Sequence, residues 1–244
     1  MIDIHCHILA GIDDGPKSWD VSEEMCQMAA ADGIEHTVAT PHANSRYAYD
    51  RATFRSDRDS LQERVGNSLR LGLGCDFHMS YENIEDALKR PDYYIIEGGH
   101  YQLVELSNYS IPVEIADGYT KLMNVGITPI LTHPERNPIL QKSPEKVLGW
   151  VELGCAVQIT ASAFTGAWGE TAWKMAEWYL KRDAVHFLAT DAHDTKRRPP
   201  VLSAGRDEVA EICGQDVAKA LVEENPRAVI NGKPLPYWPK VKTK

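Results

Sequence analysis

Seven short apolar or β-branched runs, separated by stretches with helical periodicity, constrain this chain more than any other feature of its 244 residues. They are Met1 to His7, Glu35 to Thr40, Leu71 to Phe77, Gln102 to Ser107, Ile127 to Thr132, Ala156 to Thr160 and Val185 to Thr190, and each reads as a strand. Ser18 to Asp32 reads as an intervening helix. Val21, Met25, Met28 and Ala29 share one side, acidic residues crowd the first turn, where the helix dipole favours them, and Gly33 marks the stop. A second helix is expected to open at Ser143-Pro144-Glu145, with Ser143 as cap, and to end near Gly154. Such alternation implies parallel strands joined by helical crossovers, in an open sheet or a closed barrel.

The strand ends choose between these. Residues able to bind metal stand at or just beyond the C-terminal ends of several runs, in DIHCH, VATPH, GCDFH, VELS, LTHPER and ATDAH. Side chains from so many strands meet at one face only if the strand ends ring a common axis, so an α/β barrel of about seven strands is expected.

His5 and His7, two apart on a strand, project the same way and can share one cation. Alone the pair is a weak signal, because hydrogen-bonded structural histidines use the same spacing. Repetition strengthens it: His42 ends the second run, His133 the fifth and His193 the seventh, and Asp191 with His193 repeats the two-residue spacing. Asp76 and Glu105 also stand at strand ends, where an isolated acid is costly unless paired or metal-bound. In Asp13-Asp14-Gly15-Pro16, one aspartate can build the turn while the other faces the cluster. Ligands in this number exceed the needs of one tetrahedral zinc and fit two or three hydrated sites with mixed nitrogen and oxygen donors. Such sites suit in-line displacement at phosphorus. Arg136, three residues past His133, and Arg198, in the RRPP after His193, can fork onto phosphate oxygens, whereas Arg197 reads as a surface ion-pairing residue.

The net charge of −9, from 26 Lys and Arg against 35 Asp and Glu, argues against nucleic-acid or anionic-membrane binding. No window reaches the roughly 18 apolar residues of a membrane span, and MIDIHCHIL lacks a secretory pattern, so a cytoplasmic location without membrane insertion is expected. The five scattered cysteines form no CxxC pair and read as buried thiols, Cys6 facing away from His5 and His7. Neither a phosphate-binding glycine loop nor the CxxxxxR of cysteine phosphatases is present. A single domain over residues 1–244 is expected, with 233–244 an irregular tail.

In order, IDIHCHIL, DDGPKS, TPH, GCDFH, VELS, THPERN and TDAH followed by RRPP resemble the PHP (polymerase and histidinol phosphatase) superfamily. Within it they are similar to the manganese-dependent protein-tyrosine phosphatases of capsule and exopolysaccharide operons, over Met1 to about Pro236. The resemblance implies a distorted (β/α)7 barrel, the PHP fold, and two or three divalent metal ions, manganese first, with iron, zinc or cobalt as alternatives. It implies that His5, His7, Asp76 and Asp191 hold the first metal, Asp76, Glu105 and His133 the second, and Asp14, His42 and His193 the third. Arg136 and Arg198 match the phosphate-binding arginines, and Asp76 stands where that family commonly has glutamate. The implied substrate is phosphotyrosine on a protein, such as a bacterial tyrosine autokinase.

Two other readings share these residues: a small-molecule phosphatase of the histidinol-phosphate type, and a non-catalytic barrel stapled by metals. His36 and His186, at strand starts, read as structural imidazoles, and His78, two beyond Asp76, as a contact near the ligands. Trp150, Trp168, Trp173 and Trp178 read as packing residues.

Overall fold

The computed structural model describes residues 1–242. Nine strand segments are present: β1 (Ile2–Cys6), β2 (His36–Ala39), β3 (His42–Ala43), β4 (Arg70–Leu73), β5 (Asp76–His78), β6 (Tyr101–Glu105), β7 (Thr128–Thr132), β8 (Ala156–Thr160) and β9 (Phe187–Ala189). Every ladder between them is parallel. The order is β1-β2-β4 in one sheet and β3-β5-β6-β7-β8-β9 in the other.

Two strand positions are interrupted, so the nine segments occupy seven positions. The expected run Glu35 to Thr40 gives way at Thr40-Pro41, and Leu71 to Phe77 breaks at Gly74-Cys75. Pro41 has no N–H for a ladder. The halves stay aligned because Gly74 N donates to Ala39 O at 2.8 Å and Asp76 N to Pro41 O at 3.1 Å. A Cβ at Gly74 would lie 2.9 Å from Ile96 Cγ1, so only glycine passes this point freely.

Between β9 and β1 the ring returns on itself without a regular ladder. Asp191 N donates to His5 O at 2.8 Å, His7 N donates to Ala192 O at 2.9 Å, and Cys6 bridges to Ala192. Below them the fully buried carboxylate of Asp3 accepts from Thr190 N at 3.0 Å and from the Thr190 hydroxyl. Burial lifts Asp3 to about 6 despite these contacts.

Strand alternation divides the core in two. Ile4, Val38, Leu103, Ile130, Ala156 and Phe187 fill an inner cluster. Val104, Leu131, Val157 and Leu188, neighbours of those residues in sequence, face outward and join helix residues such as Met25, Phe54, Leu122, Val147 and Tyr179 in an outer cluster. Each fully buried aliphatic side chain contributes roughly 1.5–3 kcal/mol.

Helices α1 (Trp19–Ala31), α2 (Arg51–Val65), α3 (Tyr81–Lys89), α4 (Ile115–Asn124), α5 (Glu145–Leu153), α6 (Gly169–Lys181) and α7 (Ser203–Cys213) follow the strands, and α8 (Gln215–Lys219), a π turn and α9 (Asn225–Ile230) close the chain. Ser18 caps α1, accepting from Val21 N. The expected Ser143 cap does not form. Helix α5 begins at Glu145, and the Ser143 and Pro144 carbonyls, not a hydroxyl, accept its first free N–H groups.

The stretch 233–242 has no helix or strand but is tied down. Asn225 Nδ2 donates to Tyr237 O at 2.7 Å, Tyr237 N donates to Asn225 Oδ1 at 2.9 Å, and Lys242 N donates to Arg182 O at 2.9 Å. Of the tail expected over 233–244, Thr243 and Lys244 lie outside the described residues. Among the described residues no helix is long and apolar enough to cross a membrane.

Candidate metal centre

All nine candidate ligands meet where the strands end. Two of them come from residues forced into left-handed backbone: His133, at φ 36, follows β7, and Asp191, at φ 49, follows β9. Non-glycine residues adopt this conformation at a cost of about 1–3 kcal/mol, and such strain concentrates where side chains must be aimed.

The deepest pair is anchored from behind. His5 Nδ1 lies 3.0 Å from Gln158 Oε1 and His7 Nδ1 2.8 Å from Asp13 Oδ2. With each Nδ1 engaged by an acceptor, both Nε2 atoms face the same space, 3.3 Å apart. Asp191 Oδ1 lies 3.4 Å from each of them, and Asp76 Oδ2 lies 3.6 Å from His5 Nε2. Ligand atoms about 2.1 Å from a shared cation stand roughly 3.0–3.4 Å from one another, so these separations match edges of a coordination shell.

Around this pair the site widens. His42 Nδ1 lies 3.1 Å from Asp76 Oδ2 and 4.0 Å from Glu105 Oε2, while its Nε2 lies 3.4 Å from Asp14 Oδ1. His193 Nε2 also approaches Asp14 Oδ1, at 3.3 Å, with its Nδ1 directed at Asp191 O. His133 Nε2 and His78 Nδ1 flank Glu105 at 3.8 and 3.7 Å. The two aspartates of the DDGP turn divide the work. Asp13 accepts from Gly15 N and His42 N and orients His7, whereas half-exposed Asp14 reaches the two outer imidazoles.

Among the described residues four groups can hold a cation: His7, Asp14, His42 and His193; His5, His7 and Asp76; His5, His133 and Asp191; and His42, Asp76 and Glu105. They regroup the sets implied by resemblance: His7 joins Asp14, His42 and His193, His133 sits with His5 and Asp191, and Glu105 sits with His42 and Asp76. The donor chemistry fits divalent metal. Both oxygens of buried Asp76 lack any hydrogen-bond partner, a costly state for a carboxylate unless a cation completes it.

The electrostatics carry the same demand. Burial opposes ionisation of Asp76, yet His5 and His42 overcome it and hold the carboxyl well below its usual range. Burial likewise opposes ionisation of Asp191, overcome by Arg136, His5 and Arg198. Burial also opposes a charge on His42, but Asp14 and Asp76 raise it to about 11. His7, buried but paired with Asp13, rises to about 9. Burial lowers His133, with Arg136 adding to the effect, and lowers His193 to about 4. The cluster draws positive charge toward His42 and His7.

A cavity of about 320 Å³ opens above the cluster, walled by Asp14, His42, Asp76, Glu105, Asn108, His133, Arg136, Gln141, Trp168, Asp191, His193 and Arg198. Arg136 and Arg198 both reach Asp191 Oδ2, Arg198 Nη2 at 2.6 Å. Asp194 Oδ1 shapes the Arg198 loop by accepting from the backbone N of Lys196, Arg197 and Arg198. Through Asp14, His42, Glu105 and Asn108 the cavity continues into a groove bounded by Arg46, Tyr47, His78 and Tyr109.

Sequence reading missed several wall residues. Trp150 is buried as expected, but Trp168 is a wall residue with Arg136 stacked on it, its guanidinium 3.9 Å from the ring centroid, which corrects its assignment to packing alone. Asn108 and Gln141 had no motif to mark them. His186 is fully buried and accepts from Val157 N, and His36 lies on β2 far from the ligands in the strand direction.

A family model described as capsular polysaccharide synthesis, CpsB/CapC, matches residues 1–231. The tyrosine-protein phosphatase CpsB of Streptococcus pneumoniae is 29% identical over 240 residues, covering 94% of this chain and 98% of that protein. The tyrosine-protein phosphatase YwqE of Bacillus subtilis strain 168 is 32% identical over 202 residues, covering 81% of this chain and 79% of that protein. The fold matches, with a TM-score of 0.90, 28% identity and 96% coverage of both chains, a crystal structure from work on YwqE and CpsB, described as unique metal-dependent tyrosine phosphatases. A histidinol phosphate phosphatase from Lactococcus lactis shares the fold, with a TM-score of 0.58 and 12% identity over 87% of this chain and 93% of that one.

Proposed function

Because this chain belongs to the CpsB/CapC family of capsular polysaccharide synthesis, we propose that it is a metal-dependent protein-tyrosine phosphatase acting as a single domain. The observation that carries the chemistry is the buried carboxylate of Asp76, which has no hydrogen-bond partner and is ringed by His5, His7 and His42, in a cavity that also holds the two arginines paired with Asp191. Divalent cations held there would supply Lewis-acid charge and the acidity that makes water nucleophilic near neutral pH.

The chain's own residues do the rest. His5, His7, Asp14, His42, Asp76, Glu105, His133, Asp191 and His193 hold the cations, and Gln158 and Asp13 fix the ring orientations of the inner pair. Arg136 and Arg198 present guanidinium N–H groups to the phosphoryl oxygens and neutralise charge that builds on them during displacement. Mixed imidazole and carboxylate donors accept manganese, iron, zinc or cobalt, and the family resemblance puts manganese first. The groove beside the cavity supports a polypeptide substrate, because it extends the site beyond the pocket that would take a phosphate. A tyrosine autokinase in the cytoplasm, serving capsule or exopolysaccharide synthesis, is the substrate this reading names.

The test is turnover of a phosphotyrosyl peptide beside histidinol phosphate. The chelated protein is expected to be inactive and to recover with Mn²⁺, with the peptide preferred. Full activity after verified removal of all metal would overturn the reading, and preference for histidinol phosphate would move it to the small-molecule class.

A further inference from the structure

One indole gathers both phosphate-facing arginines from separate barrel loops. Arg136, after β7, and Arg198, after β9, place their guanidinium carbons 3.9 and 5.2 Å from the Trp168 ring centroid. The indole is itself fixed, its Nε1 donating to Ser162 Oγ at 2.9 Å. The turn that presents it is bounded by Gly166 and Gly169, at φ 81 and 83, with open space where their Cβ atoms would be. These glycines therefore serve backbone shape rather than clearance.

The arginines are placed but not satisfied. Arg136 and Arg198 converge on one oxygen of Asp191, while the Nε of each is buried without a hydrogen-bond partner, that of Arg136 lying 3.9 Å from Glu135 Oε1. Two guanidinium groups in the wall of one polar cavity suit an anion with several acceptor oxygens.

We propose that Trp168 is a positioning residue for phosphate, holding Arg136 and Arg198 as a preorganised pair. A planar guanidinium stacked on an indole keeps its donors free at the edge, and the cation is drawn to the ring face. Without that surface both long side chains sample other rotamers before an anion arrives. This rests on the phosphatase reading above for its physiological meaning, but its test reads anion binding.

The measurement is calorimetric titration of the metal-loaded protein with inorganic phosphate. Trp168→Ala is expected to weaken phosphate binding about tenfold, and Trp168→Tyr, which keeps an aromatic face, less than about threefold. Metal content and the thermal transition stay as in the wild type. Trp168→Leu carries the same expectation as the alanine variant and replaces it if that protein fails to fold. In an Arg136→Ala, Arg198→Ala background, Trp168→Ala should change phosphate affinity less than about twofold, because the indole acts through the arginines. The proposal is overturned by wild-type affinity in Trp168→Ala or Trp168→Leu, by an undiminished loss in the arginine-free background, or by a wild type that binds no phosphate. A wild type that binds phosphate but leaves phosphotyrosyl peptide intact defeats the function and not this inference.

Discussion

Asp13 Oδ2 accepts a hydrogen bond from His7 Nδ1 at 2.8 Å, and that bond turns the opposite ring nitrogen toward Asp191 and Asp76. Asp13 is thus a residue that touches no proposed cation yet orients one of its ligands. Asp13→Ala is expected to lower metal affinity about 10- to 100-fold. Equilibrium titration with Mn²⁺ checks this, and wild-type affinity would remove Asp13 from the centre.

Cation binding should release protons. In the metal-free chain His42 stands at about 11 and His7 at about 9, raised by Asp14 and Asp76 and by Asp13 against the opposing effect of burial. Both are therefore protonated at pH 7.5, and a cation needs their lone pairs. Metal affinity is expected to rise with pH, and titration heats in two buffers of different ionisation enthalpy should differ. Identical heats would show that the imidazoles were already neutral.

His186 is a site of acid sensitivity far from the metals. Its Nδ1 accepts from Val157 N at 3.1 Å, which only a neutral ring can do, and burial lowers it to about 3. In the unfolded chain it titrates near roughly 6.5. Between those values the unfolded state holds the extra proton, so stability present above the unfolded pKa is lost as pH falls toward the folded one. From pH 7 to 5 the wild type should lose about 2 kcal/mol more than His186→Leu. Denaturant melts across that range test it, and parallel curves would acquit His186.

Asn225 fastens the chain end. It is fully buried, donates to His186 O and Tyr237 O and accepts from Tyr237 N. Asn225→Ala is expected to cost about 2–4 kcal/mol and to hasten proteolysis within 233–242. Unchanged cleavage kinetics would mean that other contacts, such as Lys242 N on Arg182 O, suffice.

Candidate ligands were readable in the sequence because a strand repeats every two residues, which gives His5 and His7 a shared side, whereas Asp191 and His193 join them through a left-handed turn past β9. The seven strand positions followed from alternation of pattern. The breaks at Pro41 and Gly74 were not, since they depend on how staggered halves meet across neighbours. Trp168 was invisible as a wall residue, because its contact with Arg136 is made across a turn whose shape Gly166 and Gly169 set in three dimensions. Nor could spacing show that His133 and Asp191 occupy left-handed backbone, which short-range preference disfavours and closure of the site imposes.

The junction of β9 with β1, where regular pairing gives out, carries His5 and His7 on one flank and Asp191 and His193 on the other. Cations seated across it would rivet the barrel at its weakest join. Starvation for metal would then do more than silence the enzyme: it would unfasten the stave that completes the ring, and protease susceptibility near Thr190 would become a gauge of metal supply.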